Sequence, residues 1–324
     1  RWLGDVYKRQ IYVSITGISN VTGIINPIYD IAELAHSYGA LILIDGAQTA
    51  AHMPVQISGH SNPDRNLDAF IFSGHKTYVP GSPGVVVCRK DILLSIEPEE
   101  LGGGMVDDVF IDKYIIKDNF PDREEAGTPN IPGAIALAAA IEVMDKIGMD
   151  IIYREEDELV KNTMERMKTI QDIAIYGETD ISICSRAGSI SFNIKGMDHG
   201  LVASVLNDYF NIAVRNECFC AHPYVEKMLE LTHQIQIYEA RAKNITDWHT
   251  EPWMGMVRVS FGIYNTPLDV DNFIHALKDI ISKQNEYASH YTINDHGDYE
   301  HKTFQFSCNE YFSLSNNVQD ELEH

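Results

Sequence analysis

Basic residues are scarce in this chain. Only 25 lysines and arginines stand against 47 aspartates and glutamates, a formal net charge of −22. That balance excludes the basic patches by which proteins hold nucleic acid or anionic membrane surfaces. Cysteines are few as well: Cys88, Cys184, Cys218, Cys220 and Cys308 are spread over 324 residues. An odd, sparse set makes no disulfide framework and suits a reducing compartment, so the cytoplasm is expected. No apolar run approaches the roughly 20 residues of a membrane helix, and no membrane role is expected.

The start, RWLGDVYKRQ, has charges but neither an apolar core nor a small-residue cleavage site, so it is no signal peptide. It is similar to a translated adapter scar. Residues 1–10 are therefore expected to be foreign, with the natural N-terminal part lying outside the sequence.

The 324-residue chain is 44% apolar, enough for one large α/β domain or two lobes. IYVSITGISNVTG (11–23) reads as a β-branched strand ending in a polar turn. NPIYDIAELAHSYGA (26–40) reads as a helix, with Pro near its start, apolar residues at helical spacing and Gly39 as a stop. LILID (41–45) is a short, wholly apolar strand. Strand, helix and strand at this spacing make a βαβ unit, and such strands imply a parallel sheet covered on both faces. DAFIF (68–72) and GVVVC (84–88) supply further strands. Residues 101–130 are Gly-rich and read as a long irregular loop, a candidate for function. A helical stretch is expected over 131–170. A smaller α+β lobe follows, with strands at 188–194, 212–215 and 256–264 and helices near 198–209 and 268–284. The polar tail, 288–324, shows no clear period.

In open parallel sheets, ligands gather at the carboxyl ends of the strands. Here those ends carry Asn20, then Asp45 and Gln48 in IDGAQ, then Ser73, His75 and Lys76 in SGHK. Pyridoxal phosphate makes matching demands. It needs a lysine amine, partly deprotonated, which burial promotes. An acidic partner must keep its ring nitrogen protonated. A neutral donor serves its phenolic oxygen, and hydroxyls or an imidazole serve its phosphate. Lys76, Asp45, Gln48 and the pair Ser73/His75 meet these demands in turn. Each alone has a plainer reading, as a cap or a solvated surface group; their order on successive strands makes the joint reading stronger.

SNVTG, LILIDGAQ, FSGHKTYVPGSPGVVV, EEAGTPN and VRVSFGIYNT together resemble the class V aminotransferase family of fold type I pyridoxal-phosphate enzymes. Within it the chain looks most like SufS-type cysteine desulfurases and selenocysteine lyases. The resemblance covers roughly residues 11–285. It implies an α/β fold of the fold type I transferases: residues 11–135 would be the C-terminal part of a large domain with a mainly parallel sheet, and 136–287 a linking helix and a smaller C-terminal α+β domain. It further implies Lys76 as Schiff-base lysine, Asp45 as ring-nitrogen partner, Gln48 on the phenolic oxygen and Asn20 near the ring and substrate carboxylate. Ser73 and His75 would hold the phosphate. Thr128 would reach the phosphate of a second subunit, giving a homodimer with composite sites. In this family a Gly-rich phosphate turn and a ring-stacking residue precede SNVTG, and this sequence holds neither. The chain as given is accordingly expected to be cofactor-poor or inactive.

RNECFCAHP (215–223) is similar to the desulfurase loop R-x-G-x-x-C-A-x-P, which assigns the sulfur-accepting thiol to Cys220. A flexible loop would present the thiolate to substrate sulfur and carry off a persulfide. Cys218 is extra, and a lone C-x-C pair is no metal site. Glu217 stands where the pattern has Gly, and a carboxylate beside the nucleophile would raise a thiol pKa. Arg258, inside an apolar strand, matches the arginine that binds the α-carboxylate. The expected function is cysteine desulfuration, L-cysteine to L-alanine, with passage of sulfur to an acceptor protein. The alternatives are an aminotransferase or epimerase-like enzyme in which Cys220 is a bystander, or a non-catalytic scaffold or sulfur-relay partner.

Overall fold

The computed structural model describes residues 11–231 and 254–304. The chain divides into two compact units. One comprises residues up to Glu165 with Tyr176–Ile190 and Ser260–Pro267, and the other takes Arg166–Ile175, Ser191–Val259 and the chain from Leu268 onward.

The first unit is built on a four-stranded sheet in the order β1 (Tyr12–Thr16), β2 (Leu41–Asp45), β3 (Ala69–Ser73), β4 (Gly84–Cys88). The first three strands are parallel and β4 runs antiparallel to β3. Helix α1 (Ile28–Ser37) makes the expected crossover, and its Ile28, Ala32 and Ala35 pack with Ile42, Ile44, Leu67 and Phe70 in one core. Burial of such side chains, at about 25 cal/mol per Å² of apolar area, is what holds the helix on the sheet.

At the amino end of β3 lies a buried carboxylate. Asp68 is 2% exposed. Its Oδ2 accepts from the Ile42 backbone N–H at 2.8 Å and from His36 Nε2 at 2.8 Å, and its Oδ1 accepts from Arg89 Nη1 at 2.7 Å. The other nitrogen of His36 faces the Asp64 carbonyl at 2.7 Å. Both ring nitrogens face acceptors, an arrangement that the doubly protonated imidazolium satisfies. Burial opposes that charge, but the hydrogen bonds to Asp68 and Asp64 outweigh it and hold the His36 pKa above 6.5. Burial likewise opposes the Asp68 carboxylate, yet His36, Ile42 and Arg89 keep its pKa below 3.8.

Two segments differ from their expected form. The Gly-rich stretch 101–130 contains a hairpin, β5 (Val106–Val109) and β6 (Tyr114–Ile116), closed by a bond from Phe110 N–H to the Lys113 carbonyl at 2.7 Å. Its strands are too short, and too close to glycines, to stand out as a period-2 pattern. The helical stretch 131–170 is two helices, Ile131–Ile147 and Met149–Lys168, divided at Gly148, whose φ of 95° breaks the helix as few other residues would allow.

The second unit centres on a three-stranded sheet, Ile173–Ile175, Ser189–Ile194 and Val257–Ser260, with the middle strand buried at every position. The helix His199–Phe210 buries Leu201, Val202, Val205 and Leu206, and the helix Pro267–Ser282 buries Phe273 edge-on to Phe192 at 5.8 Å. The expected strand at 212–215 reduces to a single bridge between Arg215 and Arg258. Asn211, left-handed at φ 54°, ends the preceding helix and sends the chain directly into a turn. The early part of the tail forms a second hairpin, Tyr291–Ile293 with Tyr299–His301. There the Tyr209 hydroxyl meets His290 Nδ1 at 2.7 Å and His301 Nε2 at 2.8 Å, and Tyr291 donates to Asp208 at 2.8 Å. Residues 305–324 of the tail lie outside the described residues.

Breaking the Asp68 network exposes its role. Asp68→Asn should lower the unfolding free energy by about 3 kcal/mol, the usual scale for removing one member of a buried charged network. Asp68 stabilises fully above 3.8 and His36 fully below 6.5, so the loss should be largest between those values. It should shrink as pH falls through the depressed carboxyl pKa or rises through the elevated imidazole pKa. Urea unfolding of both proteins across that range tests this.

Candidate active site

The first unit gathers one set of polar groups at the carboxyl edge of its parallel strands. The register aligns Thr16 with Asp45 and Asp45 with Ile71, so β1, β2 and β3 end close together. Asp45 is the last residue of β2. It is exposed, and its Oδ1 accepts from the Ala47 backbone N–H at 2.9 Å. Gln48 follows one turn later and is half-buried. Strand β3 ends at Ser73, and a 3-10 turn, Gly74–Lys76, carries His75 and Lys76 beyond it. Both are exposed. The burial that lysine chemistry would favour is therefore not found within this unit, because the turn lifts Lys76 past the sheet edge.

Asn20 sits in the turn that follows β1, half-buried. This turn is fastened by Ser19, whose hydroxyl accepts from the Val21 and Thr22 N–H groups, and by Arg186. Arg186 is 1% exposed and donates to three backbone carbonyls: Thr22 at 2.8 Å, Tyr176 at 2.7 Å and Glu178 at 3.0 Å. Thr128 is exposed in the loop after the first hairpin.

Three supporting residues escaped the sequence reading. Tyr78 follows Lys76 closely in a left-handed conformation, φ 63°, rare for an aromatic residue and a mark of local strain. Its hydroxyl accepts from the Ile263 N–H at 3.2 Å, and burial, with Glu156 and Tyr264 adding to it, pushes the phenol up to about 12. Four residues past Gln48, His52 Nδ1 meets Glu156 Oε2 at 2.7 Å. Burial pushes the Glu156 carboxyl up, and His52 only partly offsets it. A tyrosine so near the expected lysine was legible as a candidate. The His52–Glu156 pair, more than a hundred positions apart, was not.

The second unit holds the other set. Arg258 lies on the strand Val257–Ser260, and its backbone exchanges hydrogen bonds with Arg215 at 2.7 and 3.1 Å. The turn just after Arg215 carries strain, with positive φ at Glu217 (78°), Phe219 (52°) and Cys220 (61°). Gly255 permits this packing: a Cβ there would fall 2.6 Å from the Glu217 Cα and 2.7 Å from His199 Nε2. Cys220 is exposed and Cys218 is buried. The Cys218 thiol donates to the Met254 carbonyl at 2.9 Å, and burial, with Glu217 and Glu226 adding to it, pushes it up to about 11. Arg258 feels the charge of Cys220, so the two lie near one another.

A carboxylate, an amine, an amide, a hydroxyl and an imidazole on one sheet edge form a donor set that fits pyridoxal phosphate. The chain belongs to the class-V aminotransferase family, whose model matches residues 5–273. Among curated relatives, a protein designated "Probable cysteine desulfurase" from Halalkalibacterium halodurans is 37% identical over 285 residues, 88% of this chain and 61% of that protein. A cysteine desulfurase from an Enterobacter species is 34% identical over 272 residues, 84% of this chain and 59% of that protein. The apo structure of a cysteine desulfurase from Thermococcus onnurineus matches with a TM-score of 0.70 at 32% identity, covering 84% of this chain and 60% of that one. The chain thus spans about three fifths of the length of these relatives.

The two thiols should separate chemically. In a timed iodoacetamide reaction near pH 8, peptide mass spectrometry should find Cys220 alkylated at least about tenfold faster than Cys218, since the thiolate is the reacting form. Comparable rates would mean that Cys218 is not held in the buried, carbonyl-bonded position.

Proposed function

We propose that the whole protein is a pyridoxal-phosphate-dependent cysteine desulfurase, converting L-cysteine to L-alanine and leaving a persulfide on Cys220. One observation carries this reading: an exposed thiol, Cys220, is presented by a strained loop beside a half-buried guanidinium, Arg258. Kinship with proteins named cysteine desulfurases supports it.

Lys76 Nζ would hold the cofactor, Asp45 would face its ring nitrogen, Gln48 its phenolic oxygen, Asn20 its ring, and Ser73 with His75 its phosphate. When bound, the cofactor supplies an electron sink for the substrate's α-carbon. The chain's own groups do the rest. Arg258 binds the α-carboxylate through its planar fork and so orients the amino acid. Cys220 Sγ, open to solvent, takes the sulfur and is placed to pass it on to an acceptor protein.

The hairpin around residues 106–116 exposes Val109, Phe110, Ile111, Tyr114 and Ile115, an apolar surface that supports a second subunit there. Thr128, in the loop just beyond, would then reach the partner's phosphate site in a homodimer. Cys88, Cys184, Cys218 and Cys220 are free thiols, which supports the cytoplasm. No described helix is long and apolar enough to cross a membrane. We further propose that residues 11–135 complete a large domain whose remainder precedes them, and that 136–287 form the linking helix and small domain.

The test uses the gene with its upstream reading frame, loaded with pyridoxal phosphate. Sulfide release from L-cysteine should fall at least about a hundredfold in Cys220→Ala and disappear in Lys76→Ala. Cofactor absorbance without sulfide release would transfer the assignment to an aminotransferase or epimerase-like enzyme. Undiminished cellular function of Lys76→Ala would favour a scaffold or sulfur-relay role.

A further inference from the structure

The guanidinium carbon of Arg258 lies 4.9 Å from the centroid of the Phe219 ring. Phe219 is 3% exposed and sits at φ 52°, a conformation that costs an aromatic residue energy. Something in its surroundings has to favour the ring at that spot. Arg258 has a matching need. Burial, and then the positive charge of Arg215, push its pKa down. A cation that is partly desolvated beside a second cation is stabilised by an electron-rich face, and a phenyl ring supplies one without competing for the guanidinium's donors.

We propose that Phe219 is a positioning residue for substrate binding, its ring backing the Arg258 guanidinium and so orienting it toward the α-carboxylate of the amino acid. This rests on the carboxylate-binding role proposed above for Arg258 and deepens it. Phe219 and Cys220 are neighbours in sequence, so one turn sets both the carboxylate anchor and the sulfur-accepting thiol. The glutamate at 217 and the cysteine at 218 take part in the same turn. Met256 N–H donates to the Glu217 carbonyl at 3.0 Å and the Cys218 thiol to the Met254 carbonyl, so the turn is fastened to the strand that bears Arg258.

Phe219→Leu keeps the apolar bulk and removes the π face, whereas Phe219→Tyr keeps the face. The first measurement needs no activity. In the 324-residue chain labelled with 15N-arginine, the Arg258 Nε–H resonance, assigned by its loss in Arg258→Lys, should lie shifted by the aromatic ring current. Phe219→Leu should return it towards the other arginines, and Phe219→Tyr should leave it in place. A resonance that does not move in the leucine variant overturns the proposal. The second measurement uses the full-length, cofactor-loaded protein. Phe219→Leu should raise KM for L-cysteine about tenfold, with kcat falling by less than KM rises, and Phe219→Tyr should restore KM. An unchanged KM in the leucine variant also overturns the proposal. A parent protein that releases no sulfide would sink the desulfurase reading alone, and the Arg258 resonance would still decide the role of Phe219.

Discussion

The buried carboxylate of Asp68 is the constraint on which the first unit turns. A lone carboxylate in such a place would cost several kcal/mol. It is tolerable only because a helix, a central strand and the residue after an antiparallel strand each donate to it, through His36, Ile42 and Arg89. Those donors come from elements far apart in sequence, so the group specifies how they assemble. Its bond to the Ile42 N–H also sets the start of β3 against β2, with Leu43 opposite Ala69. A slip of one residue would turn every side chain of the strand to the other face. With the start set, the far ends of the strands are set too, and Asp45 and the Ser73–Lys76 turn arrive together.

The two sets of functional groups are built by different means. On the sheet edge, position follows from strand register, and the groups themselves are open to solvent. In the turn after Arg215, position follows from strain: three non-glycine residues hold positive φ within one short turn. The cost of that, of order 1–3 kcal/mol per residue, is met by the buried ring of Phe219, by the Cys218 thiol bond and by the close backbone approach at Gly255. A strained loop of this kind holds the exposed Cys220 thiol in a defined place.

Legibility in the sequence followed the range of the interactions. The βαβ order, the strands ending in Asp45 and Ser73, and the helices at 199–210 and 267–282 were readable because periodicity and turn residues are local signals. The polar residues at strand ends were readable for the same reason. The hairpin in 101–130 was missed because each strand is only three or four residues long. The expected strand at 212–215 failed because Asn211 ends the helix and the next residues answer to the strained turn rather than to their own β-branched character. Nothing local announced that His52 would meet Glu156, that Arg186 would serve three distant carbonyls, or that Phe219 would lie under Arg258. These are long-range choices made by packing.

The hairpin at 291–301 lies past the family match, which ends at residue 273. Within the second unit it meets the helix His199–Phe210 through the Tyr209 hydroxyl, held by His290 and His301 on the helix's last turn, and through Tyr291, which donates to Asp208. That helix runs straight into the loop of Cys220. The hairpin therefore steadies the end of the helix from which the chain passes on to the turn that carries Cys220.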